Sequence, residues 1–391
     1  MNLNTLKLKL LLEHIIMQPF VLLGRLYAKL NPLSTKHEVF LLYPNADIGG
    51  SIQVNLDLAV CLADKNPLIL FSKKPKNNKF LAKYERLNLT IIDLHTRIDN
   101  KLYHFMNFIY RGVIAEWASQ QNIQAVIGGE CIFFYKIIPH LPKKIKRIEI
   151  LHVASWLNYN IGFINQISTR VFSTEQLKEK VEIQYQENNI STPYFSKLKF
   201  IENGLNISNY PILANDTMQV YYIGRGAAQK RVHLVAAIAK EIKQRNIAIQ
   251  FNFVGDVEKI INPTLYPFCI FHGSIYDEDT MNSIYQKADV LILTSAFEGL
   301  PVVVMQMMAH GKVVVSTAVN SIPQYIVHNE NGLLINAASE EAIINEGVSH
   351  LINLYDHPDL RMAFGKRSKE IAIEKFSMQV FCKEYKQLLT C

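Results

Sequence analysis

From Glu38 onward, apolar runs of strand length alternate with stretches long enough for a helix, and they do so in two series. The first series is EVFLLY, PLILF, LTIIDL, IQAVIGG, RIEILH, RVFST and LKFIEN. The pattern pauses over residues 203–216, NGLNISNYPILAND, where Asn, Pro and Gly mark a linker. It restarts with MQVYYIG, IAIQFNFVG, CIFHG, DVLILTS and KVVVST. Strands that alternate with helices predict parallel α/β sheets. Two series in 391 residues predict two doubly wound units, each large enough to bury its own core. Ligands of such sheets bind beyond the carboxyl ends of the strands, and a protein of two units sets that edge at a cleft. The boundaries read as an extension over 1–36, a first unit over 37–205, a second over 206–376 and a last helix over 377–391.

Between DVLILTS and KVVVST lies a run that is apolar from Pro301 to Ala309 except for Gln306. Pro301 suits a first helical position and Gly311 a C-terminal cap. Val302–Val304 are poor helix formers. Parallel neighbours nevertheless need a crossover of this length, so a helix is expected. A helix apolar all round is buried, and Gln306 must find a hydrogen-bond partner in the protein or in a ligand.

Hydrophobic residues make up 49% and charged residues 19%, a globular composition without a disordered tail. Cys61, Cys131, Cys269, Cys382 and Cys391 form no CxxC pair, which predicts a reduced, cytoplasmic setting with neither a disulfide nor a zinc site. Residues 1–205 hold 25 Lys+Arg against 16 Asp+Glu, a net +9, and the remainder 16 against 18, a net −2. A basic first half suits an anionic partner. Its densest cluster, Lys143 to Arg147, lacks the interleaved aromatics of a nucleic-acid platform, so no nucleic-acid partner is expected. A plain solvated face is the other reading of that cluster.

Residues 6–30 are rich in leucine, but Glu13, His14, Pro19 and Arg25 interrupt them too often for a spanning helix. Two short amphipathic helices broken near Pro19 are expected. Two readings stay open for them: an interfacial pair with Lys7, Lys9, Arg25 and Lys29 toward the cytoplasmic face of a membrane, or an extension packed on the first unit.

Several residues at strand ends carry candidate chemistry. YYIGRGAAQKRVHL runs strand, glycine turn, helix, with Gly224, Arg225, Lys230 and Arg231 where a helix start binds anions. Cations are unfavourable there for the helix itself, so a phosphate group would compensate them. Solvated basic residues are the plainer alternative. The same turn partly matches a dinucleotide fingerprint, with Asp256 as a ribose-binding acid, but its third glycine is missing. Asp277 and Asp279 form Asp-x-Asp ahead of a helix, which reads as a cap rather than a metal site. Gly49 and Gly50 follow the first strand and open a helix, which suits either close approach of a ligand or a tight turn. His152 ends a strand of the first unit, as catalytic group or structural residue. Glu298 ends a strand of the second unit, in a turn with Gly299, as ligand contact or surface acid.

Taken in order, GGS, His152, VFSTEQL, IENGLNI, IGR with Lys230, FVGD, FHGSIYDED, SAFEGLPVVVMQMMAHGKVVVST and NENGLLI resemble the family 4 glycosyltransferases, over nearly the whole chain from Glu38. The resemblance implies a GT-B fold, two Rossmann-like doubly wound domains facing a cleft, with the last helix crossing back to the first. It implies retaining, metal-independent transfer from a nucleoside-diphosphate sugar, UDP or GDP, to a glycan or lipid-linked acceptor in cell-surface polysaccharide or lipopolysaccharide synthesis. In it Arg225 and Lys230 match the basic pair on the diphosphate. Glu298 matches the acid on the donor sugar, with the N–H groups of Gly299 and Leu300 beside it. Gly50, with Gly49, matches the glycine loop facing phosphates or acceptor, and His152 a histidine near the reacting sugar. Gly224, Gly255 and Ile275 fall in its substrate-binding segments. One departure stands out: Gln306 occupies the slot of the second glutamate, which usually binds the nucleotide ribose. Two other readings remain, a dinucleotide-dependent oxidoreductase or epimerase using Gly224 and Asp256, and a catalytically silent protein that binds a nucleotide sugar.

Overall fold

The computed structural model describes residues 3–47, 49–99, 104–207, 215–298 and 301–390. The chain divides into two compact units, Met1–Gly204 together with Met378–Cys391, and Leu205–Ser377. The first unit holds seven parallel strands, β1 (Val39–Tyr43), β2 (Leu68–Phe71), β3 (Ile91–Asp93), β4 (Ala125–Gly128), β5 (Lys146–Leu151), β6 (Thr169–Phe172) and β7 (Leu198–Phe200). Their spatial order is β3-β2-β1-β4-β5-β6-β7. The second unit holds six, β8 (Met218–Ile223), β9 (Ile249–Val254), β10 (Ile270–Gly273), β11 (Val290–Leu293), β12 (Val313–Thr317) and β13 (Gly332–Ile335), in the order β10-β9-β8-β11-β12-β13.

These runs are continuously apolar because both faces of each sheet are covered. All residues of β1, β11 and β12 are buried, as parallel strands between two helix layers require. Strand β13 escapes the alternating pattern, since it is short and begins at a glycine after an Asn-rich turn.

At the N-terminus, α1 (Leu3–Ile16) and α2 (Gln18–Leu30) break at Met17, with Pro19 in the first turn of α2. Helix α2 packs on the helix His104–Gln121 through reciprocal glycines. A Cβ on Gly24 would lie 1.9 Å from the Ile109 carbonyl oxygen, and one on Gly112 would lie 1.9 Å from that of Val21. The pair is therefore part of the first unit. Among the described residues no helix is long and apolar enough to cross a membrane.

The expectation of unpaired cysteines is corrected. Cys61 ends helix α3 (Gly50–Cys61) and forms a disulfide with Cys382, 321 residues later. The helix Met378–Thr390 returns to α3 and buries Phe381, Tyr385, Leu388 and Leu389 in the same core as Leu58. That return brings together two sulfurs whose spacing in sequence gives no sign of it. Cys131 and Cys269 are free and buried; Cys391 lies outside the described residues.

The basic cluster at Lys143–Arg147 is largely used within the first unit. Lys146 Nζ donates to the carbonyls of Leu388 and Leu389, at 3.2 and 2.9 Å, where a helix C-terminus favours a cation. Arg147 donates to the carbonyls of Leu141 and Pro142.

Candidate functional site

Each sheet reverses its strand order once, between β1 and β4 in the first unit and between β8 and β11 in the second. At such a point the loops leaving adjacent strands part to opposite faces and open a crevice at the carboxyl edge. In the second unit these loops are residues 224–231 and 294–298, and several hydrogen bonds and an ion pair knit them together. Ala296 N donates to Gln229 O at 2.8 Å, and Gln229 Nε2 to Phe297 O at 2.7 Å. Arg231 Nε donates to Thr294 O at 2.7 Å, and Thr294 Oγ1 to Arg231 O at 2.9 Å. The ion pair joins the two candidate residues: Lys230 Nζ lies 2.5 Å from Glu298 Oε1.

Glu298 is 6% exposed. Its Oε1 also accepts from Ser295 Oγ at 2.6 Å, and its N–H donates to Asn320 Oδ1 at 3.1 Å. Burying a carboxylate this deeply is costly without such partners. The pair therefore presents a cation and an anion side by side at the end of the sheet. Arg225, on the preceding glycine turn, is exposed. Its backbone is pinned by Tyr222 Oη, which donates to Arg225 O at 2.9 Å.

Lys230 and Arg231, expected in the first turn of the helix, precede it: the helix begins at Val232, after a 3-10 turn over Ala228–Lys230. Arg231 caps it with a left-handed backbone, φ 44°, and turns its guanidinium onto the carbonyls of Thr294 and Ser295. Arg231 is thus a brace between the loops.

Gly224 and Gly255 are close neighbours for a steric reason. Gly255 has φ +125°, and a Cβ there would lie 1.9 Å from the Gly224 carbonyl oxygen, so the turns after β8 and β9 touch backbone to backbone. Asp256 serves the same contact: its Oδ1 accepts from Gly226 N at 2.9 Å and its Oδ2 pairs with Lys259 at 2.5 Å. The hydrogen bonds from Lys259 and Gly226 hold its carboxyl down at about 2. A carboxylate so engaged is poorly placed to take a ribose, which weighs against the dinucleotide reading.

Ile275 follows β10, half-buried against the core of the second unit. Asp277 caps the helix Glu278–Lys287, its carboxylate accepting from Thr280 N at 2.8 Å. Gln306 lies half-buried on the helix Val302–Ala309, and its side-chain amide makes no hydrogen bond to a described residue. Pro301 is the N-cap of that helix rather than its first residue, and Val302 is 58% exposed. The helix is therefore buried from Val304 onward apart from Gln306, not all round. Gly311, φ 68°, ends it. Gly299 and Leu300 lie outside the described residues.

In the first unit Gly49 caps α3 and Gly50 begins it. A Cβ on Gly50 would meet no heavy atom within 4 Å, so local packing does not demand a glycine there. His152 follows β5, and its Nε2 is buried without a hydrogen-bond partner. Burial pushes its imidazole down to about 4 from 6.5, so it is neutral near pH 7.

Glu130, Ser295 and Asn320 were not anticipated. Glu130 follows β4 at the reversal point with a left-handed backbone, φ 53°. Its Oε1 accepts from the N–H groups of His152 and Val153, at 2.6 and 2.8 Å. Burial pushes its carboxyl above the ordinary value against those two bonds. It borders a cavity of about 370 Å³ with Ser72, Lys73, Asp99 and Trp156. An acid directly after the Gly-Gly that ends a predicted strand was the available signal.

His140 is 7% exposed and stacks on His14, ring centroids 4.8 Å apart, and burial pushes it down to about 3. Both His140 and His152 are neutral when folded and take up protons when unfolded. Their contribution is complete above about pH 6.5 and is lost as pH falls toward 3–4. Trp117 and Trp156, the two tryptophans of the chain, both lie in the first unit, so their fluorescence reports its unfolding. The urea midpoint is expected to fall between pH 6.5 and 4, less steeply in His140→Asn and His152→Asn. Identical slopes in all three proteins would contradict this.

Residues 217–353 match the family model of glycosyl transferases group 1. An uncharacterised glycosyltransferase of Methanocaldococcus jannaschii is 24% identical over 208 residues, 48% of this chain and 52% of that protein. A poly(ribitol-phosphate) alpha-N-acetylglucosaminyltransferase of Staphylococcus aureus is 24% identical over 237 residues, 59% of this chain and 45% of that one. The chain thus spans about half the length of these curated relatives. The solved structure of Anabaena HepE in complex with UDP and glucose has a TM-score of 0.65 at 15% identity, covering 90% of this chain and 99% of that one. That likeness shows the fold: two parallel α/β units of the GT-B type.

Proposed function

We propose that the protein is a glycosyltransferase that moves a sugar from a nucleoside-diphosphate sugar, UDP- or GDP-linked, to a glycan or lipid-linked acceptor of a cell-surface polysaccharide. The observation that carries this reading is the Lys230–Glu298 pair at the reversal point of the second sheet, beside the exposed Arg225. The family match over residues 217–353 falls on the same unit and supports it.

Breaking a sugar–phosphate bond leaves negative charge on the departing diphosphate. Arg225 and Lys230 are placed to stabilise it as it develops. Glu298 would accept hydrogen bonds from the donor sugar, its orientation held by Ser295 and Lys230. The uncommitted amide of Gln306 suits a ribose hydroxyl, which an amide can both donate to and accept from. No paired carboxylates of glycosidase type enter this scheme, and the bond is broken with retention and without a metal. On the first unit, His152 and Gly50 would serve the acceptor or the reacting sugar. Gly50→Val is expected to leave the melting transition within about 0.5 kcal/mol of wild type while lowering turnover at least tenfold. Unchanged turnover would remove Gly50 from the site.

The direct test incubates the purified chain with UDP- and GDP-sugars, with and without EDTA, and follows release of the nucleoside diphosphate. Release from donors of one base, insensitive to EDTA and at least tenfold above Lys230→Met, is expected. No release and no binding with any donor would reject the reading.

A further inference from the structure

Helices α1 and α2 are turned inside out relative to ordinary surface helices. On α1 the outward stripe is Leu8, Leu11, Leu12 and Ile15, 49–57% exposed. On α2 it is Leu22, Leu23, Leu26 and Leu30, 56–75% exposed. The spacing of three and four residues sets each group on one helical face. Glu13, His14 and Arg25 point the other way, into the first unit. Glu13 pairs with Arg111 at 2.9 Å and with Lys136, and Arg25 pairs with Glu116 at 3.1 Å. His14 stacks on His140. The arrangement is not a loose flap, because Leu6, Val21 and Ala28 are buried and the reciprocal glycines Gly24 and Gly112 clamp α2 to the unit. A contiguous apolar face of this kind on a well-packed unit marks a contact surface.

Charge selects what covers it. Residues 1–36 contain Lys7, Lys9, Arg25, Lys29 and Lys36 against the single acid Glu13, a net +4. Glu13 is committed inward, while Lys9 and Lys29 are exposed on the flanks of the apolar stripes. A second copy docked on this face would oppose two cationic rims. An anionic bilayer instead accepts the stripes in its interfacial zone and attracts the lysines. Neither helix is long and apolar enough to cross a membrane, so the pair would lie in the surface.

We propose that α1 and α2 form a monotopic docking face that seats the first unit on an anionic lipid bilayer through two outward leucine–isoleucine stripes. The proposal rests on the exposure and charge of this face and stands whatever the protein transfers.

The test is co-sedimentation of the full chain with phosphatidylglycerol-rich vesicles and with phosphatidylcholine vesicles. Wild type is expected to partition at least tenfold more strongly onto the anionic vesicles. Ile15→Asp with Leu26→Asp, both at exposed positions, should reduce that binding at least tenfold with the melting transition unchanged. Lys9→Glu with Lys29→Glu should remove the preference for anionic lipid while retaining weak binding. Wild type left in the supernatant with anionic vesicles would overturn the proposal, and so would an aspartate variant that binds as wild type. A dimer in analytical ultracentrifugation that the aspartate variant dissolves, without vesicle binding, would overturn it in favour of self-association.

Discussion

Lys230→Met is expected to lower donor turnover by a hundredfold or more. Loss of one preorganised donor to developing charge costs about 2.7–4 kcal/mol in the transition state. Here the lost group is also the partner of Glu298, so the substitution strips the acid of this cation while Ser295 still donates to it. Stability should fall as well, by about 1–3 kcal/mol for a buried group deprived of a partner. Glu298→Gln keeps the shape and the hydrogen-bonding capacity and should lose at least tenfold. The double variant should be little worse than Lys230→Met alone, since the two side chains act as one unit. Steady-state turnover of all three proteins checks this, with melting transitions as the control for folding. Either single variant within threefold of wild type would detach that residue from catalysis.

The second large effect lies in the core of the first unit. Glu149, on β5, and Arg170, on β6, are 0% and 1% exposed, with Arg170 Nε 2.6 Å from Glu149 Oε2. Tyr135 Oη donates to Glu149 at 2.6 Å, and Arg170 donates to Tyr185 Oη and Asn160 O at 2.9 and 2.6 Å. Arg170→Met leaves a carboxylate buried with only neutral partners, Tyr135 and Asn160, to answer it, which should destabilise the unit by about 3–5 kcal/mol. Pairing the change with Glu149→Gln removes the stranded charge and should recover more than half of that loss. Tryptophan fluorescence during urea unfolding reads the first unit alone and measures both. A single variant within about 1 kcal/mol of wild type would contradict the account, as it would mean that water or rearrangement relieves the charge.

Most of the fold was legible because parallel sheets covered on both faces demand continuous apolar runs. DVLILTS and KVVVST could hardly be anything but the buried neighbours β11 and β12, and the helix between them follows from the crossover that parallel pairing needs. Gly332–Ile335 was hidden because four residues after a turn carry too little pattern. The site was legible one residue at a time. Lys230 and Glu298 each stood out at a strand end, but their ion pair spans 68 residues and depends on β8 lying beside β11. Glu130 was missed for a related reason: its role is to hold the backbone of His152, 22 residues away on the neighbouring strand. Arg231 was read as a ligand group, yet the backbone turn that precedes its helix aims it at carbonyls instead. Cys61 and Cys382 were read as unrelated thiols because only the returning C-terminal helix unites them. In the N-terminal helices the leucine periodicity was plain, but a period does not say which face turns inward. Gln306 is the opposite case, since a lone amide on an apolar helix announces itself without any structure.

The most direct test of the central claim is the shift of the melting transition with UDP, GDP, ADP and NAD, each measured with and without magnesium. A ligand at a hundred times its dissociation constant adds about 2.7 kcal/mol to the folded state. The account predicts that UDP or GDP raises the transition equally with and without the metal, and that Lys230→Met abolishes the shift. Stabilisation by NAD alone, or by none of the nucleoside diphosphates, would contradict it.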